Sequence, residues 1–175
     1  RAVLLPQSKL LLGFAQLRLG KQISQDRPAE SKQQLASAVQ NLDELISQHP
    51  KFADIDQAYF FKADALDTLQ DFDQALAAYQ AMLALPKVQF KQDGQFAVGN
   101  LYERTGQLDK AQQQYEQFLA DDPQHASAVE VRFRLAETLT QLAMDAESKR
   151  QTELAQQIYQ KAEPVYQAVI DAQVA

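Results

Sequence analysis

The sequence predicts an all-α chain of stacked helical hairpins, an α-solenoid of about four units, and three observations carry that prediction. Apolar stripes at helical spacing stop at Pro50, Pro86 and Pro123, which recur every 36 and 37 residues. Small residues at Ala38, Ala75 and Ala111 recur ahead of them, with spacings of 37 and 36. Gly and Pro number only 5 and 6 while Ala, Leu and Gln dominate, a mixture that favours long helices over tight turns. Two independent markers sharing one period of this size signal an array of helix hairpins.

Length and charge narrow the function classes. A chain of 175 residues suits one globular domain or one short solenoid. Apolar residues make up 46%, too many for a disordered chain. The longest apolar run, from Leu10 to Ala15, falls far short of the roughly 20 residues that cross a bilayer, so no span is predicted. A net charge of −6, with no run of Lys or Arg longer than two, would repel a phosphate backbone and argues against nucleic acid as partner. The absence of cysteine removes disulfides and thiolate metal sites, and it is compatible with an oxidising compartment. The chain opens at Arg1 without an initiator Met or a signal-peptide pattern, from which a processed or excised piece of a longer protein is expected.

The units follow in order. The first, about residues 4–50, rests on Leu12 and Gly13 with Ala38, Leu42, Leu45 and Pro50. About 13 residues are inserted between its helices, and Gly20 and Pro28 predict a loop over 20–31. The second, about 54–86, places Tyr59, Ala63 and Leu66 on one helical face. Asp71 then opens its second helix, where an acid suits the positive end of the dipole, and Phe72, Ala75, Tyr79, Met82 and Leu83 form the stripe. The third, about 92–123, reads Phe96, Gly99 and Tyr102, a turn at Gly106, then Leu108, Ala111, Tyr115 and Phe118. The fourth, about 127–172, combines Leu135 and Ala136 with Ala162, Tyr166 and Val169, or in an alternative register with Ala155 and Tyr159. Its insert, 144–161, is helix-compatible, so the helices are expected to lengthen, with Pro164 near the first turn of the last one.

The stretch from Phe96 through Gly99, Tyr102, Gly106, Leu108, Ala111, Tyr115 and Phe118 to Pro123 resembles a complete tetratricopeptide repeat. Ala58 to Tyr79 matches nearly as well, departing where Lys62 replaces an apolar residue, Gln70 replaces the turn glycine and Pro86 comes one residue early. The resemblance covers about residues 52–123. It implies a right-handed superhelix with first helices on the concave side, no catalysis, no cofactor, and a function in holding another protein. From each proline to the next small residue (Pro50 to Ala58, Pro86 to Gly94, Pro123 to Val131) is eight positions. That long linker is similar to the repeats of bacterial envelope proteins of the Tol-Pal and outer-membrane-assembly type. It implies a periplasmic or envelope location, with the cytoplasm as the alternative.

Carried over by position, the peptide-binding set on the concave face is Phe60, Asp64 and Asp67, then Phe96, Asn100 and Glu103, then Phe133, Arg134 and Glu137. Thr140 extends the fourth unit, and Leu10, Phe14 and Leu17 hold the same places in the first. Aromatic steps between acids suit a basic or amphipathic segment. Each aromatic could equally pack between first helices, and each acid could be a solvated helix face. A clamp for a C-terminal carboxylate is not matched, since of Phe60, Asp64, Ala97, Glu130 and Arg134 only Arg134 has the required chemistry. His49 and His125, both beside prolines in linkers, lack a third ligand and are expected to be exposed, so no metal is expected. No phosphate loop, nucleophile elbow or paired-His helix appears, so no catalytic residue is assigned. Two further readings stay open. The apolar stripe Val165, Tyr166, Val169, Ile170 and Val174 has no polar cap, so the chain could self-associate as a homodimer through terminal helices. It could also be a regulatory helical module of a larger protein.

Overall fold

The computed structural model describes residues 4–174, and among them every regular element is a helix. The eight helices are α1 (Leu4–Gln22), α2 (Pro28–Gln48), α3 (Ile55–Thr68), α4 (Phe72–Leu83), α5 (Lys91–Arg104), α6 (Leu108–Asp121), α7 (Ala128–Ser148) and α8 (Thr152–Val174). None of the described helices is long and apolar enough to cross a membrane. Helices α2 to α8 each carry an acid in the first turn, where it offsets the positive end of the dipole. Packing divides the chain at Gly94 into two compact units, one holding α1–α4 and the start of α5, the other holding the rest of α5 with α6–α8.

In the first unit α1 and α2 lie antiparallel. Lys9 bonds Glu44, Gln16 bonds Asn41 and Ser31 bonds Gly20, so the partner number falls as the other rises. The sequence predicts a loop over 20–31, and the structure corrects this to 23–27. Gly20 and Pro28 each allow two readings, and the helical one wins at both. A Cβ on Gly20 would sit 2.7 Å from Leu35 Cγ, so the glycine opens room for α2 to approach. Pro28 occupies the first turn of α2, where its missing N–H has no intrahelical acceptor to lose. The Ser31 hydroxyl seals the turn by donating to the Gly20 carbonyl at 2.7 Å. Helix α3 then packs on this hairpin. Ala58 joins Leu10, Leu42 and Leu45 in one buried cluster, and Ala65 joins Leu17, Leu35 and Ala38 in another. The linker into α5 is pinned by buried Asp56, whose carboxylate accepts the Gln89 N–H at 2.7 Å.

Three first helices end alike. The chain turns through a left-handed residue at Gln70 (φ 65), Gly106 (φ 73) and Arg150 (φ 60). Each time that residue's N–H reaches back three positions and the next N–H reaches back five, the pattern that closes a Schellman cap: Gln70 to Asp67 and Asp71 to Leu66, Gly106 to Glu103 and Gln107 to Tyr102, Arg150 to Glu147 and Gln151 to Ala146. Asp71 then caps α4 by accepting the Gln74 N–H, as the sequence suggests. A side chain in this backbone region is strained, and only Gly106 avoids the cost. Gln70→Gly and Arg150→Gly are therefore each expected to raise stability by about 0.5–1 kcal/mol, read as a later urea midpoint, with the two gains additive.

In the second unit α6 lies against α5, with Phe96 meeting Phe118 and Asn100 meeting Tyr115. Helices α7 and α8 extend well beyond these lengths, and both registers for the fourth unit turn out to describe the same long helix. Counted from the left-handed turn residue, Ala155 and Tyr159 stand where Ala111 and Tyr115 stand in the third unit. Counted by what they touch, Tyr166 takes the place of Tyr115, for its ring meets Phe133 and its hydroxyl lies 3.4 Å from that of Thr140. Seven residues, two helical turns, separate the two readings, so one buried stripe through Ala155, Ala162 and Val169 serves both. This also corrects the placement of Pro164. It falls well inside α8, on the exposed side, because the turn has already been made at Arg150.

Candidate protein-interaction face

Within the first three hairpins one small residue on the first helix holds the place opposite one bulky residue on the second. A Cβ added at Gly13 would lie 2.6 Å from Leu42 Cγ, and one at Gly99 would lie 2.4 Å from the Tyr115 ring. Ala63 and Tyr79, both buried, hold the same places in the second hairpin. These contacts consume one face of α1, α3 and α5; one turn away on either side the side chains of α3 and α5 are half-buried, while those of α1 are buried.

In the first unit, Phe60 lies half-buried in an aromatic cluster. It stacks on Phe90 at 5.1 Å and meets Phe61 and Tyr79 at 6.1 and 5.6 Å, while Phe61 also meets Phe14 at 4.8 Å. Asp64 pairs with Lys21 at 2.6 Å, and Asp67 is half-buried one turn further on. Leu10 and Leu17 are fully buried in the core, so of the corresponding set in the first hairpin only Phe14 reaches the surface.

The second unit brings together five of the predicted residues. The Tyr115 hydroxyl lies 2.7 Å from Asn100 Oδ1 and 2.8 Å from Glu103 Oε2. Its single proton goes preferentially to the carboxylate, the stronger acceptor. From α7, Arg134 Nη1 stands 3.8 Å from Glu103 and 3.4 Å from Glu137. At such distances, and with the Arg134 side chain 41% exposed, these pairs contribute only about 0–1 kcal/mol each, and most of the five guanidinium donors stay available. Two carboxylates against one guanidinium leave the group net negative. Phe96 is held by Tyr115 and Phe118, while Phe133 is exposed and touches only the edge of Tyr166 among the rings.

Burial first, then the Glu103 hydrogen bond and charge, pushes the Tyr115 phenol well above its ordinary value. Burial, then Asp64, Asp67 and Asp93, pushes Tyr79 up as well. Both phenols are harder to ionise folded than unfolded. The stability they contribute is therefore complete below the unfolded value near 10 and is lost as pH rises beyond it. Melting temperature should be flat from about pH 8 to 9.5 and fall steadily above about 10, with part of the phenolate absorbance appearing only as the chain unfolds.

The two histidines differ from the expectation of exposed linker residues. Both are half-buried: His125 accepts the Ser127 N–H and sets its ring edge on Phe118 at 5.3 Å, and His49 closes the end of α2. Among the described residues no cluster of His and acidic side chains could hold a metal. Lys21, Phe61, Phe90 and Tyr115 shape the candidate faces without having been marked for them by sequence. Lys21 and Phe90 fall in the segments expected to be loop or linker, and Tyr115 read as packing alone.

Residues 29–88 and 96–142 match the family model described as tetratricopeptide repeat. No curated protein matches the chain. Among solved structures, TPR-like repeats of a candidate kinesin light chain from Podosopora anserina, in a substituted form, are similar at 15% identity over 93% of this chain and 77% of that one, with a TM-score of 0.55. A second structure of those repeats gives 15% identity, 88% and 74% coverage and a TM-score of 0.53. A structure of MamA is 18% identical over 89% of each chain, at a TM-score of 0.45. Identities this low speak to fold alone. The family model, however, spans well over half the sequence, and the small-against-bulky hairpins beneath it give it a physical basis: the chain belongs to the tetratricopeptide repeat family, a family of protein–protein interaction scaffolds.

Proposed function

We propose that the chain binds a peptide or helical segment of a protein partner along its first helices and carries out no reaction itself. In the second unit the contacts fall to Phe96, Asn100, Glu103, Phe133, Arg134 and Glu137. In the first they fall to Phe60, Asp64 and Asp67. The observation that supports this most is the loosely paired Arg134 between Glu103 and Glu137, beside an exposed Phe133. A side-chain group that served only to hold the fold would be tighter and drier. Carboxylates in surplus select a segment with Lys or Arg, and Phe133 offers its aliphatic face a rigid apolar step. The first unit repeats the theme, with Asp64 paired to Lys21, Asp67 one turn further along α3, and Phe60 on the same helix. The long proline linkers support an envelope or periplasmic setting, with a cytoplasmic one as the alternative.

Selection of peptides from a random display library against the chain tests this directly. Basic amphipathic peptides should be enriched. Phe133→Ala combined with Glu103→Gln and Glu137→Gln should weaken the best of them by about 10-fold or more, and added salt should weaken it further. Enrichment of acidic or neutral peptides, or affinity untouched by the triple substitution, would contradict the reading.

A further inference from the structure

We propose that the outer face of α1 docks into the open end of the α7–α8 hairpin of a second copy, joining chains head to tail. The internal stacking of α3 on the first hairpin supplies the template. Helix α3 meets α1 and α2 through Ile55, Ala58, Phe61, Ala65 and Leu69. Aligning Gly13 of α1 with Ala63 of α3, which hold the same place in their hairpins, carries these onto Leu5, Ser8, Leu11, Ala15 and Leu19. Every one of those α1 side chains is exposed, with Leu5 at 53% and Leu11 at 57%. Helix α1 is thus apolar on its hairpin face and on the face with which α3, its counterpart, stacks. A single helix with two apolar faces has two neighbours to cover them.

The receiving surface stands on α7 and α8 of the same chain. By the alignment that puts Tyr166 at Leu42, the residues that accept α3 correspond in α7 and α8 to Phe133 for Leu10, Val169 for Leu45 and Ile170 for Ile46. With α3 in place Leu10 is buried and Ile46 half-buried, whereas their counterparts Phe133 and Ile170 are exposed at 41% and 53%; Val169, like Leu45, is buried already. A cavity of about 440 Å³ opens there, with Val129, Phe133 and Val169 in its lining.

Charge decides between a second copy and an unrelated occupant. The internal α3 junction is crossed by two ion pairs, Lys21 with Asp64 at 2.6 Å and Lys62 with Asp43 at 2.5 Å. At the proposed junction Met144 stands in the place of Lys21 and faces Phe14 in the place of Asp64. Gln167 stands in the place of Asp43 and faces Leu12 in the place of Lys62. Both members of both pairs have lost their charge together, so no ion is stranded when the two surfaces meet. Helix α1 contains no acid and exposes Arg18, while the receiving helices expose Glu130 and Glu163. The two surfaces differ, so the contact is heterologous and each junction leaves one free end of each kind.

Sedimentation over a concentration series tests this, and mixing identifies the faces. The unaltered chain should grow in mean mass with concentration. Leu12→Glu with Leu19→Glu removes the inserting face. Met144→Glu with Ile170→Glu removes the receiving face and spares Phe133, for which docking and peptide binding compete, so that failure here and failure of the peptide-binding reading remain distinguishable. All four positions are exposed, and melting curves check that both variants fold. Each variant alone should be monomeric, and the two mixed should give a 1:1 dimer and nothing larger. If the unaltered chain stays monomeric throughout, the proposal falls and the α1 face belongs to a hairpin of some other protein or segment. If the variant altered in α7 and α8 still dimerises, α1 pairs with α1 and the proposal also falls.

Discussion

Replacing Tyr115 by alanine is expected to cost about 3–5 kcal/mol of unfolding free energy, the range for deleting a large aromatic from a core. The ring is fully buried and packs where a Cβ on Gly99 would stand 2.4 Å from it, so the vacated space lies between two helix backbones that cannot simply close up. Phe96 loses one of its two ring contacts at the same time. Tyr115→Phe separates the ring from its hydroxyl. It keeps the packing, gives up the hydrogen bond to Glu103 and should cost only about 1.5–3 kcal/mol. Urea unfolding of the three proteins measures both steps. A Tyr115→Ala chain within about 1 kcal/mol of the parent would mean the small-against-bulky pair is not what holds this hairpin.

Leu42→Ala is the matching experiment in the first unit, with an expected loss of about 2–5 kcal/mol. Leu42 is fully buried in the cluster with Leu10, Leu45 and Ala58, and its Cγ would lie 2.6 Å from a Cβ on Gly13. Gly13→Ala alone forces that contact and should cost about 1–3 kcal/mol, even though alanine is the better helix former. The double substitution places the new methyl in the space the leucine leaves. Its cost should therefore fall short of the sum by at least about 0.5 kcal/mol. Simple additivity in the double-mutant cycle would show that the two residues do not meet as described.

How far the fold was legible follows from which contacts are local. The repeat is plain in the sequence because the first three hairpins each set a small residue (Gly13, Ala63, Gly99) against a bulky one (Leu42, Tyr79, Tyr115), and because Pro50 and Pro123 stop helices by chemistry of their own. Gly106 announced its turn, whereas Gln70 and Arg150 adopt the same left-handed backbone without any residue type to advertise it. The loop is shorter than the 20–31 that glycine and proline suggest, because both residues also serve helices. Only the distant Leu35 and Ser31 reveal that Gly20 is a gap for packing. At the candidate faces, residue types were legible but pairings were not. Nothing near Asp64 in sequence points to Lys21, and nothing near Phe60 points to the linker ring Phe90. Likewise Glu103 meets Arg134 only because α5 and α7 bring them within 3.8 Å. These contacts join segments tens of residues apart, and spacing along one helix carries no record of them.

On the proposed reading the hairpin contacts hold the fold while the remaining side chains of the first helices hold a partner. Amide chemical shifts followed while a selected basic amphipathic peptide is added test it most directly. The largest changes should gather at Asn100, Glu103, Phe133, Arg134 and Glu137, with Gln113, Gln117 and Glu116 on the exposed side of α6 unmoved. Changes centred on α6 or α8, with the first helices silent, would contradict it.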